Sequence, residues 1–115
     1  MSAEALHFWI IFTVPTDKGG DRGAIRPLHL AHVADLERRG ILFLAGPFVD
    51  DVENKPQGPG MIIVRAATRD DAARIADADP YHVQGYRTYR LQKWRLSEGS
   101  FQLRVRIQDE AAELS

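Results

Sequence analysis

An eight-residue run near the start of the chain, His7-Phe8-Trp9-Ile10-Ile11-Phe12-Thr13-Val14, is the strongest constraint on what this sequence can become. Its β-branched and aromatic side chains read as a strand, closed by Pro15. Successive strand residues point to opposite faces, so Phe8, Ile10 and Phe12 share one side while Trp9 and Ile11 share the other. Both faces of any sheet built on this strand therefore need cover, and a fold that wets one face leaves a row of large apolar groups in water.

The next elements supply one of the two covers. Pro27 to Arg39 reads as a helix with proline in its first turn and Gly40 as a left-handed stop, followed by a strand over Ile41–Ala45. At 100° per residue His29 falls on the same face as Val33 and Leu36, which aims an ionisable imidazole into the protein. Thr16 to Ala24 is a polar, glycine-rich loop whose spacing fits neither common phosphate-binding pattern. Gly46 to Gly60 holds three prolines, three glycines and an acidic patch, and reads as a long mobile connection, either a lid or partner-facing arm or an ordinary variable hairpin loop.

Met61 to Ala66 is a third strand, and Thr68 caps a second helix that runs to about Asp77 or Ala78 before Pro80. Ala72, Ile75 and Ala76 form its apolar face, with Asp79 next on the same side, so a carboxylate is aimed inward too. Tyr86 to Leu96 is a fourth strand in which the apolar parity changes between Leu91 and Trp94, suggesting a bulge near Gln92 or Lys93. Phe101, Leu103, Val105 and Ile107 alternate strictly with polar residues, an added fifth, half-buried strand within 97–108, and 109–115 is a short acidic tail expected to fray.

Strand, helix, strand, strand, helix, strand is the split β-α-β plan: an α+β, ferredoxin-like antiparallel sheet with both helices on one face. Pairing with a copy of itself is the simplest cover for the other face, so a homodimer is expected. The 115 residues suit one domain with a core at about 6–96. Lys and Arg total 15 against 16 for Asp and Glu, which gives no field to hold nucleic acid or an anionic membrane. Arg87, Arg90, Lys93, Arg95, Arg104 and Arg106 therefore read as a solvated strand face. Without cysteine there is no thiolate site, and without a basic leader or a run of ~20 apolar residues a cytoplasmic protein is expected.

Arg26-Pro27-Leu28-His29-Leu30, then Gly46-Pro47, then Ala78-Asp79-Pro80-Tyr81 with Gly85, together resemble the YCII-related family across roughly residues 6 to 96. The resemblance implies a dimeric α/β barrel with a cleft between helices and sheet in each protomer. It also implies that His29 and Asp79 form a histidine-aspartate dyad proposed as an active site. One branch of the family is similar to a dehydrochlorinase of a chlorinated hydroxyhydroquinone, and the fold is similar to that of muconolactone isomerase. The fifth strand and the glycine-rich loop depart from the family's pattern.

A carboxylate on one ring nitrogen fixes the tautomer and raises the basicity of the other, so His29 with Asp79 would make a general base for an elimination or isomerisation. Arg26, one turn earlier on the helix, is the cation chosen to hold a developing anion, against the plainer reading of a surface ion pair. Tyr81 would donate a hydrogen bond or simply pack, and the backbone at Gly46 would approach a ligand closely. His29 and His32 are one turn apart but about 60° around the helix, and no metal site or cofactor is expected. Two functions follow: a lyase- or isomerase-like enzyme acting on a small acidic or phenolic molecule, or a non-catalytic dimeric module that binds a ligand or protein and uses the polar pair as a structural bond.

Overall fold

The computed structural model describes residues 7–100 and the backbone of 103–106 and 111–114. Four strands, β1 (His7–Pro15), β2 (Leu42–Val49), β3 (Pro56–Val64) and β4 (Arg87–Arg95), form one sheet in the order β2-β3-β1-β4 with every pairing antiparallel. Helices α1 (Arg22–Arg38) and α2 (Arg69–Asp77) connect β1 to β2 and β3 to β4. This is the ferredoxin-like α+β plan read from the element order.

The helix-facing core is Trp9 and Ile11 of β1, Ile62 and Val64 of β3, and Ala72 and Ala76 of α2. Alanines on α2 let its backbone come close to the sheet, and both are fully enclosed. On the other face Phe8 stacks on Phe43 with ring centroids 4.4 Å apart and lies 6.2 Å from Trp94. Arg65 lies over both phenylalanine rings, and the Arg90 guanidinium sits 4.0 Å from the Phe12 centroid. Ile10 and Phe12 remain half-buried there.

Several boundaries differ from the sequence reading. α1 begins at Arg22, not Pro27, because the Asp21 carboxylate caps it by accepting from the Ala24 amide, while the Arg22 guanidinium donates to Tyr86 O and Thr16 O at 2.6 Å each. Pro27 therefore lies inside the helix, and Gly40, at φ 71°, ends it as expected. The segment 46–60 is no long mobile connection. β2 runs on to Val49 and β3 starts at Pro56, joined by a tight turn in which the Asp50 carboxylate accepts from the amides of Val52, Glu53 and Lys55. β2 is a sheet edge, where Pro47 is tolerated.

β4 carries no bulge: its register with β1 runs unbroken from His7↔Arg95 to Pro15↔Arg87. The parity change has another cause, apolar contacts on both faces, with Leu91 packed on the helix-side core and the exposed Trp94 beside Phe8 on the other face. A short helix α3 (Pro80–Val83) follows α2, unforeseen from sequence. The strand expected near 103 forms as β5 (Leu103–Arg106), but its partner is β6 (Ala111–Leu114) in a separate two-stranded sheet, so 111–114 is paired and not a frayed tail. Phe101, Ile107 and the half-burial expected of that strand lie outside the described residues.

Gly60 is buried in β3, and a Cβ there would stand 3.0 Å from Gly46 O and 3.3 Å from Pro47 Cα. Gly60→Ala is expected to cost about 1–3 kcal/mol through this backbone crowding. A chemical-denaturation midpoint equal to that of the parent would show that β2 yields freely at Gly46.

Candidate functional site

α1 presents His29 one turn before Val33, and Val33 and Leu36 bury the same helical face against the sheet. The joint between α2 and α3 presents Asp79. The residue before a proline avoids the helical region, so the chain leaves α2 at Ala78, passes through Asp79 in an extended conformation (φ −65°, ψ 124°) and re-enters a helix at Pro80. The Asp79 carboxylate caps the new helix by accepting from the Tyr81 amide at 3.0 Å, and the residue is only 2 % exposed.

The imidazole and the carboxylate meet. His29 Nδ1 donates to Asp79 Oδ1 at 3.0 Å and to Oδ2 at 2.9 Å. Burial alone would push the Asp79 carboxyl up, but the hydrogen bond and charge of His29 and the Tyr81 amide outweigh it and hold the carboxyl below its ordinary value. An ionised carboxylate only accepts, so Nδ1 carries a proton, and in the neutral imidazole Nε2 carries the lone pair. Nε2 has no hydrogen-bond partner among the described residues. The His29 side chain keeps 21 % of its surface open, on the wall of a cavity of about 640 Å³.

All five residues singled out from the sequence, His29, Asp79, Arg26, Gly46 and Tyr81, line that cavity. Arg26 is exposed on α1 and forms no ion pair among the described residues. The Tyr81 ring lies 4.8 Å from the imidazole, tilted by 43°. Gly46 is in β2 and not in a turn, and contributes bare backbone to the wall. Nearby, burial lowers the His32 imidazole below its ordinary value, with Asp79 opposing and His29 adding to that effect. Among the described residues no three ligating side chains converge as a metal site would need.

Sequence reasoning missed Arg87, Thr13 and His82. Arg87 was grouped with a solvated strand face, yet it has the parity of Tyr89 and Leu91, which pack toward the helices. That parity was the available signal. Arg87 lines the cavity, with Nε donating to Thr13 Oγ1 at 2.9 Å and Nη2 to Gly58 O at 2.5 Å and Thr13 O at 3.2 Å. Burial pulls its guanidinium below the usual arginine value, with Asp79 and Tyr81 opposing, yet arginine stays protonated in proteins. His82 Nδ1 lies 2.6 Å from Ala76 O, a pure acceptor, so Nδ1 donates and Nε2 accepts the Thr13 hydroxyl at 2.9 Å. Donors thus run in one direction, Arg87 to Thr13 to His82 to the α2 backbone.

A model of the YCII-related domain matches residues 8–95, more than three quarters of the chain. The chain belongs to the YCII-related family. No curated protein matches it. Among solved structures this YCII-related protein is similar to the 5-chloro-2-hydroxyhydroquinone dehydrochlorinase TftG from Burkholderia phenoliruptrix AC1100, in complex with 2,5-dihydroxybenzoquinone. The TM-score is 0.52 at 20 % identity, and the match covers 80 % of this chain and 95 % of the other. At that identity the likeness is one of fold. No described helix of the YCII-related chain is long and apolar enough to cross a membrane.

Proposed function

We propose that this chain is a small-molecule enzyme of lyase or isomerase type, in which His29 Nε2 moves a proton on an acidic or phenolic substrate bound in the cavity. The observation that carries the reading is the orientation of the imidazole: Nδ1 is tied to both carboxylate oxygens of a buried Asp79, and Nε2 is left free on an open cavity that Arg26 also lines. Nε2 takes the proton of an O–H or activated C–H bond, the electron pair stays on the substrate, and the imidazolium is held by Asp79. The pair then expels a leaving group, or the proton returns to another atom. Arg26 faces the negative charge that builds up, Tyr81 offers a hydroxyl donor, and Gly46 admits the ligand close to the backbone. A step of this kind needs no cofactor. The name of the structural neighbour, a dehydrochlorinase in complex with a dihydroxybenzoquinone, supports the same class of substrate.

Melting the protein in the presence of small acids and phenols tests the proposal. A true ligand at a hundred times its Kd stabilises by about 2.7 kcal/mol, so hits raise the midpoint by several degrees. A library in which nothing raises it would reject a small acidic substrate.

A second reading has one observation in its favour, the cap that Asp79 places on α3, which gives the polar pair a structural duty. In a non-catalytic binding module, ligand uptake would survive replacement of His29 and Asp79 by a matched apolar pair.

The homodimer belongs to this proposal. Ile10 and Phe12 lie half-buried and Trp94 39 % exposed on the face opposite the helices, which suits cover by a second copy. Light scattering is expected to give twice the 12.9 kDa chain mass, and Phe12→Asp with Ile10→Asp to halve it. Wild-type protein that scatters as a monomer at micromolar concentration would remove the dimer.

A further inference from the structure

Arg87, like Arg22, is a half-buried guanidinium held by neutral oxygens, but of the two only Arg87 lines the cavity. Its Nε and Nη2 make three hydrogen bonds, all to neutral oxygens: the Thr13 hydroxyl, the Thr13 carbonyl and the Gly58 carbonyl. No carboxylate pairs with it among the described residues. Asp79 and the Tyr81 phenol are the acidic groups near enough to act on it, and the Asp79 carboxylate is already committed to His29 Nδ1 and the Tyr81 amide. Nη1, with two N–H groups, has no acceptor among the described residues. A half-buried guanidinium without a counter-ion is costly to keep, because buried charge is ordinarily paired.

The cost has a use if the missing partner arrives from the cavity. We propose that Arg87 binds an anionic oxygen of the substrate through Nη1, making the cavity a site for small organic carboxylates or phenolates. The assignment rests on the reading of this cavity as a substrate site. Clamped at Nε and Nη2 to β1 and β3, the guanidinium cannot swing away, so it meets its ligand without paying to order a long side chain. Arg26 is the opposite case, an exposed residue on α1. The two cations sit on different walls, which divides the work: Arg87 anchors the charge the substrate brings in, and Arg26 faces the charge that develops as His29 removes a proton.

The rival account is that Arg87 only ties β1, β3 and β4 together. The two are separated by a ligand pair that differs in charge and hardly in shape, benzoate and benzamide, titrated into the full chain by NMR. Wild-type protein is expected to bind benzoate about tenfold or more tightly than benzamide, as one charge-assisted bond allows. Arg87→Met should erase that preference, and Arg87→Lys, which keeps charge but not the fork, should keep only part of it. Arg87→Lys carries the test alone if Arg87→Met fails to fold. A preference that survives both substitutions overturns the anchor, and so does wild-type protein that takes up neither compound or both equally. Loss of the preference alongside turnover that ignores His29 supports the anchor and removes only the catalytic reading. Turnover that needs His29 but keeps its KM for an ionised substrate in Arg87→Met does the reverse.

Discussion

Replacing His29 with glutamine is expected to lower turnover of an identified substrate about a hundredfold or more while leaving the protein folded. A positioned general base contributes roughly 10²–10⁴ in rate, and Nε2 is the group in this cavity with both a free lone pair and a fixed orientation. Glutamine is chosen because its amide can still donate to the Asp79 carboxylate, so the buried acid keeps a partner and the melting midpoint stays within a few degrees. Single-turnover rates and circular dichroism on the same preparation read both effects. Turnover equal to wild type in a folded variant would end the proposal that His29 moves a proton.

Replacing Asp79 with alanine is expected to be the most destabilising single change at the site. The substitution strips three acceptor contacts at once: two from His29 Nδ1 and one from the Tyr81 amide that starts α3. Loss of a helix cap costs about 1 kcal/mol and loss of a hydrogen bond to a charged group about 1.5–3, so a total of about 2.5–4 kcal/mol is expected. For a domain near 100 residues this is a fall in Tm of about 10 °C or more. Asp79→Asn is the informative companion. Its amide oxygen can still cap α3, so much of the stability returns, but the negative charge that keeps the proton on Nδ1 is gone and turnover stays low. The pH dependence has a definite sign. The Asp79 carboxyl lies below its ordinary value in the folded protein, so its stabilisation is complete above the unfolded value near 4 and is lost as pH falls through the lower folded value. The stability gap between wild type and Asp79→Asn should therefore close in acid. A gap that stays constant from neutral pH down to about 3 would contradict that linkage.

Much of this arrangement could be read in the sequence, and each failure has a physical cause. His29 was legible because a helix repeats every 3.6 residues, and Val33 and Leu36 are large enough to mark the inward face. Thr68 was legible as a cap because its hydroxyl accepts from the Asp71 amide through purely local geometry. The start of α1 was misplaced because Pro27 imitates a first turn, while Asp21 competes with several other polar residues in a glycine-rich stretch. The 46–60 hairpin was misread because proline and glycine usually mark loops, whereas Pro47 lies on the edge strand β2 and Pro56 and Pro59 lie on the part of β3 beyond its pairing with β1. The turn chemistry of Asp50 was the overlooked local cue. Arg87 was missed because an arginine on a strand is usually solvated, and its place in the cavity is a tertiary fact: Thr13 and Gly58 are distant in sequence and meet it only across the paired strands.

Asp79 holds two offices, one toward His29 and one toward the turn that follows it. Its history and that of His29 should therefore diverge. If His29 moves a proton as proposed, a descendant that had given up that reaction would still be held to an aspartate here by the need to launch α3, whereas nothing else in the chain would oblige it to keep an imidazole on α1. Across relatives, the disappearance of the histidine, and not of the acid, would then mark a lapsed enzyme.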